Sequence, residues 1–264
     1  MFDRLREKWF QVEFHSHAQA ILSQDFPAAI SELEAVLASV TIPIQEIIGS
    51  GGGETKGTQR LRRALAAASW HKENFVIEKT INGVPRESKS HEVDHVRAFP
   101  EGVIALEIEW NNKDPFFDRD LENFKRLHAE AAISVGVIVT RGAALQDGLV
   151  ELVRRYAVQE RLTSVADLAR IGLNPTPRQR ATVAGRVERG ATFADAWAGA
   201  FVQDKFGAAT THWRKLEDRV HRGVGNPCPL LLIGLPVSIV TFDEPAEVVN
   251  ALIEEGATDG ENGD

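Results

Sequence analysis

Polar and apolar positions alternate at Phe10, Gln11, Val12, Glu13 and Phe14, the two-residue period of a half-buried strand. From Pro27 the period lengthens. Ile30, Leu33, Val36, Leu37 and Val40 recur at helical spacing, and proline suits the first helical turn. The run Gly49-Ser50-Gly51-Gly52-Gly53 breaks this pattern. A second helix is expected from Glu54, with Leu61, Ala64, Leu65 and Ala68 on its inner face. Residues 75–80 read as a strand and 81–84 as a turn around Asn82-Gly83. Residues 86–90 offer no apolar helical face and read as a loop entering an extended segment.

The middle of the chain is the most regular. Val103, Ala105, Ile108 and Trp110 surround Leu106, Glu107 and Glu109, a strand with mixed faces. Residues 118–131 carry Leu121, Phe124, Leu127, His128 and Ala131 on one helical side. Residues 133–139 are uninterruptedly apolar, as a central strand covered on both faces would be. Residues 147–222 read as mostly helical, broken at Asn174-Pro175-Thr176-Pro177, and 230–240 return as strand. The expected class is α/β, a mixed β-sheet flanked by helices with a helical insertion. At 264 residues the chain is long for one compact domain and short for two full ones. One domain over 1–256 with a helical elaboration is expected, and an acidic, disordered tail over 257–264.

Composition narrows the classes. Hydrophobic residues at 43% and charged residues at 26% argue against global disorder. No apolar run reaches the roughly 18 residues of a membrane span, and the N-terminus lacks a signal-peptide core. The single Cys228 excludes an internal disulfide framework and a multi-cysteine zinc site; it reads as structural. A cytoplasmic protein is the expectation. The net charge of −8 misleads, because residues 243–264 hold eight acids and no Lys or Arg. The remainder is neutral, so a polyanionic partner stays open.

Three features bear on chemistry. Glu107 and Glu109 lie two apart on a predicted strand and so point to one face, while Ile108 and Trp110 point to the other. Adjacent carboxylates facing a core repel and are costly to desolvate, and a divalent cation removes both problems. Mg²⁺ suits such oxygen ligands, with Asp94 a further carboxylate from an adjoining strand. The chemistry would be phosphodiester hydrolysis. Lys113 would bind phosphate, or cap the strand in solvent. Equally, one strand face could simply be solvated. Second, His91-Glu92-Val93-Asp94-His95 is a literal HExxH, which on a helix would bind zinc. Its flanks, with Pro100 and Gly102 close behind, do not read as helix. Third, basic residues cluster around Lys56–Arg63, Arg178–Arg189 and Lys205–Arg222, either phosphate contacts or ordinary solvated helix faces. Gly51-Gly52-Gly53 matches neither a P-loop nor a dinucleotide fingerprint and reads as a hinge. Glu54 is a possible accessory metal-shell carboxylate, or a helix-dipole partner.

The run Ser90-His91-Glu92-Val93-Asp94-His95-Val96, then Val103-Ile104-Ala105-Leu106-Glu107-Ile108-Glu109-Trp110-Asn111-Asn112-Lys113-Asp114-Pro115-Phe116-Phe117-Asp118, resembles type II restriction endonucleases of the BglII/BstYI and BamHI group, variants of the PD-(D/E)xK nuclease fold. That family's motif is an Asp, a spacer, then Glu-x-Glu or Glu-x-Gln on a strand, followed by a helix and another strand. Asp94, Glu107 and Glu109 match it in order and type, and a strand ending in Val139-Thr140-Arg141 follows. Val93 stands where a proline is usual, and Glu109 where a lysine is, a replacement this subgroup shares. The resemblance covers about residues 10–146 and the strand near 230–240, not the helical insertion.

It implies a restriction-endonuclease-like core and a homodimer that cuts double-stranded DNA at a palindromic site with Mg²⁺. Asp94, Glu107 and the Ile108 carbonyl would hold the metal, and Glu109 would orient or activate water. Arg141, His212 and Asn226 are candidate DNA-binding residues. The alternatives are a zinc metallopeptidase built on His91, Glu92 and His95, and a non-catalytic DNA-binding protein.

Overall fold

The computed structural model describes residues 1–49 and 55–242. The Ser50–Gly53 hinge, Glu54 and the acidic tail lie outside the described residues. In chain order the elements are α1 (Asp3–Glu7), β1 (Gln11–His15), α2 (Ala18–Asp25), α3 (Pro27–Ala38), β2 (Ile42–Pro43), α4 (Ile44–Gly49), α5 (Lys56–Ala67), β3 (His71–Ile81), β4 (Val84–Phe99) and β5 (Gly102–Glu109). There follow α6 (Phe116–Ala129), β6 (Val135–Arg141), α7 (Ala143–Gln159), α8 (Val165–Arg170), α9 (Pro177–Glu188), α10 (Phe193–Lys205), α11 (Trp213–His221), β7 (Leu230–Leu235) and β8 (Val240–Thr241).

Six strands form one sheet in the order β1-β7-β6-β5-β4-β3, and β2 pairs with β8 apart from it. β5, β6 and β7 run parallel at the centre; β1 at one edge and β4–β3 at the other are antiparallel. The mixed sheet flanked by helices is the α/β class that the hydrophobic periods predict. β6 and β7 are buried along their whole length because helices cover both faces. Full burial of each valine on β6 contributes about 1.5–3 kcal/mol. Val135, Val137 and Val139 face the larger core with α2, α3, α7 and α10, while Ile138 faces a smaller one under α6 and α11. At Gly136 a Cβ would stand 2.4 Å from the Phe124 ring of α6, so the helix lies directly on the backbone there.

Local chemistry sets the helix boundaries. Thr55 caps α5 by accepting the Thr58 N–H. The predicted break at 174–177 stands between α8 and α9, where Thr176 and Gln179 form a reciprocal capping box behind Pro177. Two expectations are corrected. Residues 86–90, read as loop, belong to β4, because backbone pairing with β3 overrides a polar composition. The strand expected over 230–240 ends at Leu235; Pro236 has no N–H to donate, and a single 3₁₀ turn leads into β8. Asn82 and Gly83 both take positive φ, as the tight β3–β4 turn requires. Among the described residues no helix is long and apolar enough to cross a membrane.

Candidate active site

Two irregularities in strand pairing open the site. Glu73 pairs with Val93 and His71 with Val96, so two steps along β3 face three along β4. The extra residue is a bulge on β4, beside Asp94. It explains why Val93 and Val96, an odd number apart, both enter the core under α6. β4 and β5 stop pairing at His95–Leu106, whereas β5 continues beside β6 to Glu109–Thr140. Past that point β5 runs on without β4. An open cleft of about 400 Å³ lies there, lined by Asp94, Glu107 and Glu109 from the strands, Asn112 from the following loop, and Phe116 and Arg119 from α6.

Alternation along β5 places the acids. Ile104, Leu106 and Ile108 enter the larger core, while Ala105 faces the core under α6. Glu107 and Glu109 continue the Ala105 side and keep only 5% and 3% exposure. Asp94 is exposed at the mouth. α6 adds Asp120, 1% exposed, whose Oδ1 accepts from Arg119 Nε at 2.8 Å and whose Oδ2 is buried without a partner among the described residues. Glu109 Oε2 accepts from Asn112 Nδ2 at 2.8 Å, and its Oε1 lies 3.6 Å from Arg119 Nη2. Glu107 accepts no hydrogen bond among the described residues.

Burial first, then the charges of Asp120, Asp94 and Glu109, push the Glu107 carboxyl up to about 10 against the pull of Arg119. Burial and the Asp120 charge push Glu109 up to about 8, while the Asn112 bond pulls it down. Competition with Asp120 for a proton raises the Glu109 carboxyl further. Burial raises Asp120 as well, against Arg119.

The donor set is all oxygen and is short of positive charge. Among the described residues no three His, Cys, Asp or Glu side chains close around a metal position. Mg²⁺ does not ask for that; it binds through one or two carboxylates and completes its shell with water and substrate phosphate. Asp120 Oδ2, without a partner among the described residues, and the crowding of negative charge at Glu107 fit a divalent cation.

Ile108 also lines this cleft. Lys113 is exposed, just beyond β5, and bridges Thr210. Arg141 and His212, candidate DNA contacts, are both buried. Arg141 has 0% exposure and His212 7%, the former because its guanidinium turns inward to Thr210 and Thr211. Asn226 is exposed but precedes β7, at the opposite end of the sheet from Glu109, where it accepts from Ser16 Oγ at 3.3 Å. The HExxH residues lie on a strand, not a helix. His91 lines the cleft with Asn123 of α6, while His95 pairs with Leu106 toward the other core, so the bulge splits the two imidazoles and, among the described residues, no zinc pair forms.

Sequence reasoning missed Asp120, Arg119 and Asn112. Asp120 was findable: it stands four before Phe124 and seven before Leu127, an acid on the apolar stripe of its helix. No curated protein matches the chain. The model of the family described as restriction endonuclease BglII/BglIII matches residues 10–235.

Proposed function

Since the chain belongs to the restriction endonuclease BglII/BglIII family, and is therefore a type II restriction endonuclease acting on DNA, we propose that it hydrolyses double-stranded DNA with Mg²⁺, at a specific palindromic site, as a homodimer. A two-fold dimer matches a two-fold site, with one strand cut per subunit. The same reading treats residues 1–256 as one nuclease domain elaborated over 147–222.

The observation that carries the site assignment is Glu107, buried without a hydrogen-bond donor beside Asp94 and Asp120 in a cleft open to solvent. Asp94 and Glu107, with the Ile108 carbonyl, would hold the cation. Bound there, Mg²⁺ polarises a phosphate oxygen and lowers the pKa of water. Glu109 takes the proton from the attacking water. A carboxyl raised to about 8 is basic enough for that work, and Asn112 and Arg119 fix its two oxygens. Lys113, exposed at the end of β5, contacts DNA backbone. Digestion of plasmid DNA by the purified chain with Mg²⁺, followed by sequencing of the ends, tests the reading. Discrete fragments with one recurrent palindromic end support it; intact plasmid under Mg²⁺ and Mn²⁺ overturns it.

A further inference from the structure

The cleft walls carry at least three acids, Asp94, Glu107 and Glu109, and among the described lining residues one permanent cation, Arg119. Its side chain is 53% exposed, yet it is held. Nε donates to Asp120 Oδ1 at 2.8 Å, Nη2 lies 2.8 Å from the same oxygen and 3.6 Å from Glu109 Oε1, and the guanidinium lies 4.4 Å over the Phe116 ring. Nη1 makes no hydrogen bond among the described residues. A planar fork anchored on its inner edge and open on its outer one is pre-organised for a second oxyanion. Phosphate entering between Asp94 and Glu107 brings negative charge to an already acidic place, and hydrolysis increases it. We propose that Arg119 binds the scissile phosphate and stabilises the charge that builds on it during hydrolysis, an inference that rests on the nuclease reading.

In that step water oxygen bonds to phosphorus as one phosphorus–ester oxygen bond breaks. One proton of the water goes to Glu109, and the leaving oxygen takes a proton from solvent. The extra negative charge of the five-coordinate phosphorus lies on the non-bridging oxygens, toward Nη1 and Nη2 of Arg119. A purely structural Arg119 would instead only neutralise Asp120. The two roles separate because charge that appears in the transition state is felt in kcat, not KM.

The test compares wild type, Arg119→Ala, Arg119→Lys and Arg119→Gln in plasmid cleavage with Mg²⁺, with duplex binding measured in Ca²⁺. Expected is a kcat loss of about 100-fold or more for Arg119→Ala, a partial loss for Arg119→Lys, and saturable recovery of Arg119→Ala by added methylguanidinium. Should the alanine variant fail to fold, Arg119→Gln carries the same expectation. Cleavage by Ala or Gln variants within threefold of wild type overturns the proposal, as does a loss confined to KM or binding. Inert wild-type protein overturns the nuclease reading together with this one, whereas active wild type beside equally active variants overturns this one alone.

Discussion

Near the carboxyl ends of β5 and β6 the protein buries charge in two ways, acids along an open cleft and one arginine in a closed interior. In the first, Glu107, Glu109 and Asp120 are almost fully buried along a cleft that opens to solvent. In the second, Arg141 has no exposed surface and, among the described residues, no carboxylate partner. Its Nη2 donates to Thr210 Oγ1 at 2.8 Å and to the Thr211 carbonyl at 2.6 Å, and its guanidinium sits 4.9 Å from the Phe206 ring. Nε and Nη1 have no partners among the described residues, and burial lowers its pKa to about 9. Both arrangements cost desolvation energy. In the closed pocket the charge ties the segment before α11 to the end of β6, so it acts as a strut. In the open cleft the imbalance is within reach of a cation and a phosphate. Accessibility, rather than burial or pKa shift, separates a site from a strut.

Substitutions can break that contrast. The largest effect is expected on the open side: Glu107→Ala should lower cleavage by about 1,000-fold while leaving duplex affinity in Ca²⁺ within a few-fold, measured by single-turnover digestion and fluorescence anisotropy. Unimpaired cleavage would make the acids decoration. On the closed side Arg141→Ala should cost about 2–5 kcal/mol of stability, because a cavity opens among Thr210, Thr211 and the Phe206 and Trp110 rings. Arg141→Met, which removes two unpartnered donors along with the charge, should cost much less. Urea unfolding of the pair decides it; equal costs would contradict the strut.

A smaller, pH-dependent effect sharpens the contrast. Glu107 and Glu109 keep their protons in the folded protein to about 10 and about 8, while in the unfolded chain they ionise near 4.5. Between those values the unfolded state binds fewer protons, so metal-free stability should fall as pH rises from about 5 to 9. Glu107→Gln should flatten the decline, and Mg²⁺ at 100 times its Kd should restore about 2.7 kcal/mol. A metal-free stability that rises with pH through this window would refute the assigned protonation. The smallest effect concerns Asn112. Its bond lowers the Glu109 pKa, so Asn112→Leu should move the acidic limb of the cleavage–pH profile to higher pH. An unmoved limb would detach Glu109 from the proton transfer.

How much of this was legible follows from which features are local. The facing of Glu107 and Glu109 is a period-two property, and the strand delivers it. The partners of β5 and β6, and the helix between them, follow from hydrophobic spacing. Asp94 joins the glutamates as a carboxylate on an adjoining strand, and the family resemblance adds its order in the motif; what brings it to the cleft is a bulge, a property of the pairing between β3 and β4 that one strand's sequence does not carry. The same bulge undoes the HExxH pattern, which presumes a helix. The inward turn of Arg141 depends on Thr210 and Thr211, about seventy residues away. Nothing near position 141 announces it. Asp120 was readable and overlooked, since it stands among apolar positions of α6.

The contact between Gly136 and Phe124 has a reach beyond packing. α6 carries Arg119 and Asp120, and the absent methyl group on β6 lets that helix settle against the sheet that carries the glutamates. The spacing between strand acids and helix acid is thus set by an empty place on a neighbouring strand that touches neither. Tolerance of this enzyme to change should accordingly be lowest at a residue with no chemistry of its own, and the reactive groups inherit their alignment from a side chain that is not there.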